Sequence, residues 1–242
     1  MANRYLNDDP TDYSNTWIPD LTILNSTTNC ETLATDNDTK AKALAETFFP
    51  SPLLSPTLSD TTYRKPLLAR GTFSKQDIHT AIKKLKPNKA PGADGIKNIV
   101  IQKCANTIID NLYQTFHVIL GLNTYPSCWL TILTIVLHKP GKPTYNVVKT
   151  YHPIGLLDTI GKLFSTLVAT DLSYLTEKHL LLPPTQFGGR PGHSTTDTMH
   201  LVTQIIKDMW RKKKTASVLF LDIQATFPNT VRERLIHNMR SR

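Results

Sequence analysis

Cysteine is scarce in this sequence: three in 242 residues, at positions 30, 104 and 128, widely spaced and without a CxxC pair. That excludes a disulfide framework and a thiolate zinc site, and it predicts reduced thiols held mostly in the core. Long apolar runs are missing too. The longest uncharged one, CWLTILTIVL at 128–137, has ten residues, where a membrane-spanning helix needs ~20. The N-terminus is polar and has none of the basic and apolar regions of a signal peptide. No membrane partner and an intracellular, non-secreted location are the expectations. No internal repeat is present, and His79, His117, His138, His179, His200 and His237 show no metal-ligand spacing such as HxxxH.

What is present is charge, unevenly placed. Residues 1–62 hold nine Asp and Glu against three Lys and Arg, whereas residues 63–242 hold 25 Lys and Arg against ten Asp and Glu. The second part is a basic body that attracts polyanions through phosphate contacts and counterion release, nucleic acid first among them. The chain is therefore read as two parts: 1–62, an acidic, polar linker or arm with one short helix around 38–48, and 63–242, the main domain. The first 35 residues show no sustained period, and PSPLLSPTLSDTTYRKP (50–66) is a connector in which proline blocks helix.

Beyond residue 70 helices and strands alternate, which makes the fold class α+β. Ser74 with Asp77 has the spacing of a capping box ahead of Ile78, Ile82 and Leu85. Ile101, Cys104, Ile108, Leu112, Phe116 and Ile119 form the stripe of one long helix. A strand over 130–139, a PGKP turn and a helix over 159–178 follow. Ser194 can cap a helix with the face Val202, Ile205, Ile206 and Met209, ending at the basic run 211–214. The strand ASVLFLDI (216–223) and a last helix, TVRERLIHNM, complete the set.

Four loop stretches are more specific than connectors: KPNKAPGADGI (86–96), HKPGKPTYNVVKTYHPIGLL (138–157), QFGGRPGHSTTD (186–197) and FLDIQATF (220–227). In that order and at those intervals they resemble the reverse transcriptases of non-LTR (LINE-type) retrotransposons, with family patterns KAPGxDGI, KPGK with YRPISLL, QFGFRPGRST and FLDIxxAF. The resemblance covers essentially the whole chain. It implies the fingers and partial palm of a right-hand polymerase, ending before the Asp-Asp hairpin and thumb. The implied activity is RNA-directed DNA synthesis by two-metal nucleotidyl transfer, with Mg²⁺ as cofactor and an RNA template, a DNA primer and dNTPs as partners. Work on such substrates implies a nuclear or cytoplasmic location.

The resemblance also assigns residues. Asp222 is the catalytic aspartate and a metal ligand, the carbonyl of Ile223 assists it, and Phe227 sits under the sugar and rejects a 2′-hydroxyl. Lys139, Lys142, His152 and Arg190 fall at positions that contact nucleic acid or nucleotide. Metal chemistry suits an aspartate at a strand end, because hard divalent cations take acidic oxygens on a rigid support. A plain turn-capping role for Asp222 is the alternative. After Asp222 the sequence has no further Asp and one Glu, Glu233, so the family's other catalytic carboxylates are not within these residues. Asp94 is read as a helix cap or turn anchor rather than a metal ligand. His152 stands where the family has arginine, Gly155 where it has serine, Gly189 where it has an aromatic and His193 where it has a basic residue. The expectation is an inactive fragment of a polymerase, with a non-catalytic nucleic-acid-binding remnant as the alternative.

Overall fold

The computed structural model describes residues 18–24, 31–50, 62–63, 73–223, 226–227 and 229–241. The sequence readings of 1–17 and 51–61 as linker, and the placement of Cys30, lie outside the described residues. The architecture is mixed α+β and divides into two units, one drawn from 1–55, 134–155 and 225–231, the other from 56–133, 156–224 and 232–242.

In the first unit Leu21–Leu24 (β1) and Glu31–Ala34 (β2) pair antiparallel, with Leu21 opposite Ala34. Asn37–Phe48 (α1) follows, capped by Asp36, whose carboxylate accepts from Thr39 N at 2.9 Å. Leu133–His138 (β3) and Tyr151–Leu156 (β4) form a second two-stranded sheet. Thr22 N donates to Asn146 O at 2.8 Å, which ties β1 to the segment joining β3 and β4. Leu21, Ala34, Ala43, Leu44, Val148 and Tyr151 are buried together.

Where it is described, then, the stretch 18–48 is packed and is not the loose arm that its composition suggested. Its few apolar residues meet on one face, and its polar majority stays in water. Even Lys40 is buried; its ammonium lies 3.1 Å from Asp20 Oδ1 and donates to Ile18 O at 3.0 Å, the pairing a buried charge requires.

The second unit is built on helices. Lys75–Lys84 (α2) opens with the expected capping box: Ser74 Oγ accepts from Asp77 N, and Asp77 accepts from Ser74 N at 3.0 Å. The long helix expected next is two, Asn98–Lys103 (α3) and Ala105–Leu122 (α4), broken at Cys104 with ψ near 3°. The break turns Cys104 outward, and Cys128 is exposed as well, which corrects the expectation of core thiols. Thr159–Lys178 (α5) packs on α2 and α4, burying Ile78, Ile82, Ile101, Leu112, Phe116, Leu163 and Phe164 in one cluster. Aromatic rings fill its end: Phe164 sits 5.2 Å from Phe116 and 6.1 Å from Trp129, centroid to centroid.

Thr195–Arg211 (α6) is capped by Ser194 and Asp197 as expected, yet neither it nor Arg232–Ser241 (α7) has a buried residue. Between them, 216–223 is irregular, which corrects the expected strand. A strand exists only through ladder partners, and both sheets among the described residues are the pairs already given.

Candidate active site

Asp222 lies on that irregular segment and is exposed, with Leu221 before it 82% exposed and Ile223 after it 74% exposed. Phe227 is 94% exposed. A carboxylate holds a hard divalent cation only with other oxygens at fixed positions around it. Among the described residues no three His, Cys, Asp or Glu side chains gather as a metal-binding group. The residues present therefore do not by themselves fit the Mg²⁺ that the resemblance implies.

Lys139 follows β3 and is engaged on the hairpin itself: its backbone N donates to Thr150 O at 2.8 Å and its ammonium to Lys149 O at 2.7 Å. Lys142 is exposed in the turn, beside Gly141 at φ +76°, a left-handed conformation that favours glycine. His152 is exposed on β4, because alternation along the strand turns its neighbour Tyr151 inward. Tyr151 donates to Tyr145 O at 2.6 Å, and burial pushes its phenol above the ordinary value.

Arg190 is engaged within the chain. Its Nε donates to Glu177 Oε1 at 2.8 Å and its Nη2 to Glu177 Oε2 at 2.7 Å, a bidentate fork. Its Nη1 donates to Pro183 O at 3.2 Å and Gln186 O at 3.1 Å. The guanidinium is spent on clamping the loop after α5, and the pair holds Glu177 below its ordinary pKa and Arg190 above its own, the mutual hydrogen bonds being the main cause. No phosphate can take those donors without displacing Glu177.

Sequence reasoning missed the seat of the APGADG loop. Gly92 lies so close to the Asp158 backbone and carboxylate that a β-carbon there would overlap both. Asp158, at the N-terminus of α5, accepts from Asp94 N at 3.2 Å, and Asp94 accepts from Ile96 N at 3.0 Å, the turn anchor expected of it. Thr159 Oγ1, fully buried, donates to Ile96 O at 2.7 Å. The two glycines of the motif hinted at a close approach, but nothing in the sequence named Asp158 as its partner. Glu177, the partner of Arg190, was equally silent.

No protein-family model matches the chain. Curated proteins do. The chain is 32% identical over 165 residues to "Probable RNA-directed DNA polymerase from transposon BS" of Drosophila melanogaster, 68% of this chain and 18% of that protein. It is 33% identical over 155 residues to the corresponding protein of transposon X-element of the same species, 64% of this chain and 17% of that protein. To the RNA-directed DNA polymerase from mobile element jockey of Drosophila funebris it is 31% identical over 166 residues, 69% and 18% of the two chains. The chain is thus related to the RNA-directed DNA polymerases of mobile elements. Among these, it is a relative of those of the non-LTR retrotransposons. It spans less than a fifth of the length of these relatives, and the matched share is narrower than the whole-chain resemblance read from the motifs. No helix of the described residues is long and apolar enough to cross a membrane.

Proposed function

We propose that these residues are the fingers side and first palm motif of an RNA-directed DNA polymerase, with 63–242 as the polymerase portion and an RNA template, a DNA primer and dNTPs as substrates. Asp222, with the Ile223 carbonyl, contributes one part of a divalent-metal site, and Phe227 contributes sugar discrimination, once further carboxylates are brought beside them. Such work requires a nuclear or cytoplasmic setting.

One observation carries the reading: the last of the four ordered motifs sets Asp222 in a segment that is apolar on both faces and exposed from 217 to 223. A strand of that kind belongs in the middle of a sheet. By themselves these residues do not polymerise, because one carboxylate cannot hold two cations in a defined geometry. The test is primer extension by the purified chain on poly(rA) with oligo(dT), dTTP and Mg²⁺, beside Asp222→Ala. No incorporation by either is expected; incorporation lost in the variant would contradict the inactivity of the chain.

A second reading, nucleic-acid binding without catalysis, is favoured by the basic excess of 63–242. Salt-dependent RNA binding by a chain that never incorporates dTTP, even when supplied with a polypeptide carrying the family's remaining palm, would select it.

A further inference from the structure

The stretch from Ile78 to Ile109 carries six lysines, at 83, 84, 86, 89, 97 and 103, against one carboxylate, Asp94. All six are exposed. None is paired with a carboxylate among the described residues, whereas Lys75, on the first turn of the same α2, lies 2.6 Å from Asp110. Lys84 lines a groove shared with Asp77 and Asp171, which leaves five. Lys83 and Lys103 flank a polar groove of ~290 Å³, between α2 and the α3–α4 junction, with His79, Gln102 and Asn106.

The backbone beneath these lysines is fixed. Buried Asn98 donates to Lys86 O at 2.8 Å, and Gln102 Nε2 donates to Leu85 O at 2.8 Å, so the loop after α2 is pinned to α3. The charges therefore stand on a rigid base and only their stems move. Between Phe73 and Tyr113 there is no Phe, Tyr or Trp. Sites for single strands pair cations with aromatic platforms on which bases stack; the one ring that this stretch itself supplies is the imidazole of His79. Ammonium groups act as point charges toward phosphate and carry no base readout.

We propose that Lys83, Lys86, Lys89, Lys97 and Lys103 form a binding face for the phosphate backbone of double-stranded nucleic acid. The face shares no residue with the Asp222 motif and is indifferent to base sequence. The proposal rests on the nucleic-acid reading above and adds the surface and the strandedness.

The experiment measures binding of the whole chain to an RNA duplex of about 20 base pairs and to one of its single strands, across salt from about 50 to 300 mM. It compares the wild type with a variant carrying Lys→Gln at all five positions and with a control carrying Lys→Gln at 212, 213 and 214. In the five-site variant the slope of log K against log salt for the duplex should fall by about 4.5, near 0.9 per phosphate released. Its duplex affinity should drop by more than about 100-fold, while single-strand affinity changes by less than about threefold. The control should keep the duplex slope. If the five-site variant does not fold, the pairs Lys86/Lys89 and Lys97/Lys103 should each lower the slope by about 1.8. An unchanged duplex slope, an equal loss for both strand forms, or equal competition by polyglutamate would overturn the proposal while leaving the nucleic-acid reading in place. A wild-type chain that binds neither form would end both.

Discussion

Helices α2 and α6 begin with the same device, a capping box made by Ser74 with Asp77 in one and by Ser194 with Asp197 in the other. Both then carry apolar residues at helical spacing. The first buries Ile78, Ala81 and Ile82 against α4 and α5; the second buries nothing, and Met199, Ile205 and Trp210 stay exposed. Local signals start a helix, but most of its stability comes from packing its apolar face. The α2–α5 cluster has a core of its own, and the described residues of 194–241 include no buried side chain. Each of Leu219, Phe220 and Leu221 forgoes roughly 1.5–3 kcal/mol by remaining in water.

The sharpest way to break this comparison is to truncate one aromatic in each region. Phe116→Ala should cost about 3–5 kcal/mol by urea denaturation, because its ring is fully enclosed. Phe220→Ala should change stability by less than about 0.5 kcal/mol. Equal losses would mean that the second region is packed after all.

Gly92→Ala should cost roughly 1–3 kcal/mol, because the new methyl group would have to push the Asp158 backbone away from the APGADG loop. Proteolysis within 86–98 should quicken with it, and an unchanged midpoint would show that the seat is pliable.

The twin caps sharpen the contrast at smaller scale. Ser74→Ala should lower global stability by about 1 kcal/mol. Ser194→Ala should leave the unfolding midpoint in place and quicken amide exchange only in the first turn of α6, as hydrogen exchange can resolve.

The smallest effect concerns the Arg190 clamp, a folded feature ahead of the uncovered stretch. Arg190 lowers the Glu177 pKa in the fold, so the pair's contribution is complete above the ordinary carboxyl value of 4.5 and is lost as pH falls through the lower folded value. Arg190→Gln should flatten the acid limb of unfolding midpoint against pH. An acid limb identical to that of the wild type would remove the clamp from the account.

These contrasts also mark what was legible in the residues. Ser74, Ser194, Asp94 and the 159–178 helix were readable because caps, turns and amphipathic periods are local. The α3–α4 break at Cys104 was not, since the apolar stripe runs on through it. The β1–β2 pair was hidden because a few apolar residues among many polar ones set no period. The Arg190 pairing was hidden for a related reason: a motif names the residue but not its partner, and Glu177 sits 13 positions away in sequence. Of the site, Asp222 was legible from its motif alone; its surroundings depend on neighbours that the described residues do not place beside it.

Hydrogen exchange across 216–223 in the isolated chain tests the central claim most directly. The account predicts exchange near the unprotected rate there, beside strong protection in α4. Protection of 216–223 comparable to that of α4 would mean that the strand already has its ladder partners, and the claim that Asp222 awaits a completed sheet would be wrong.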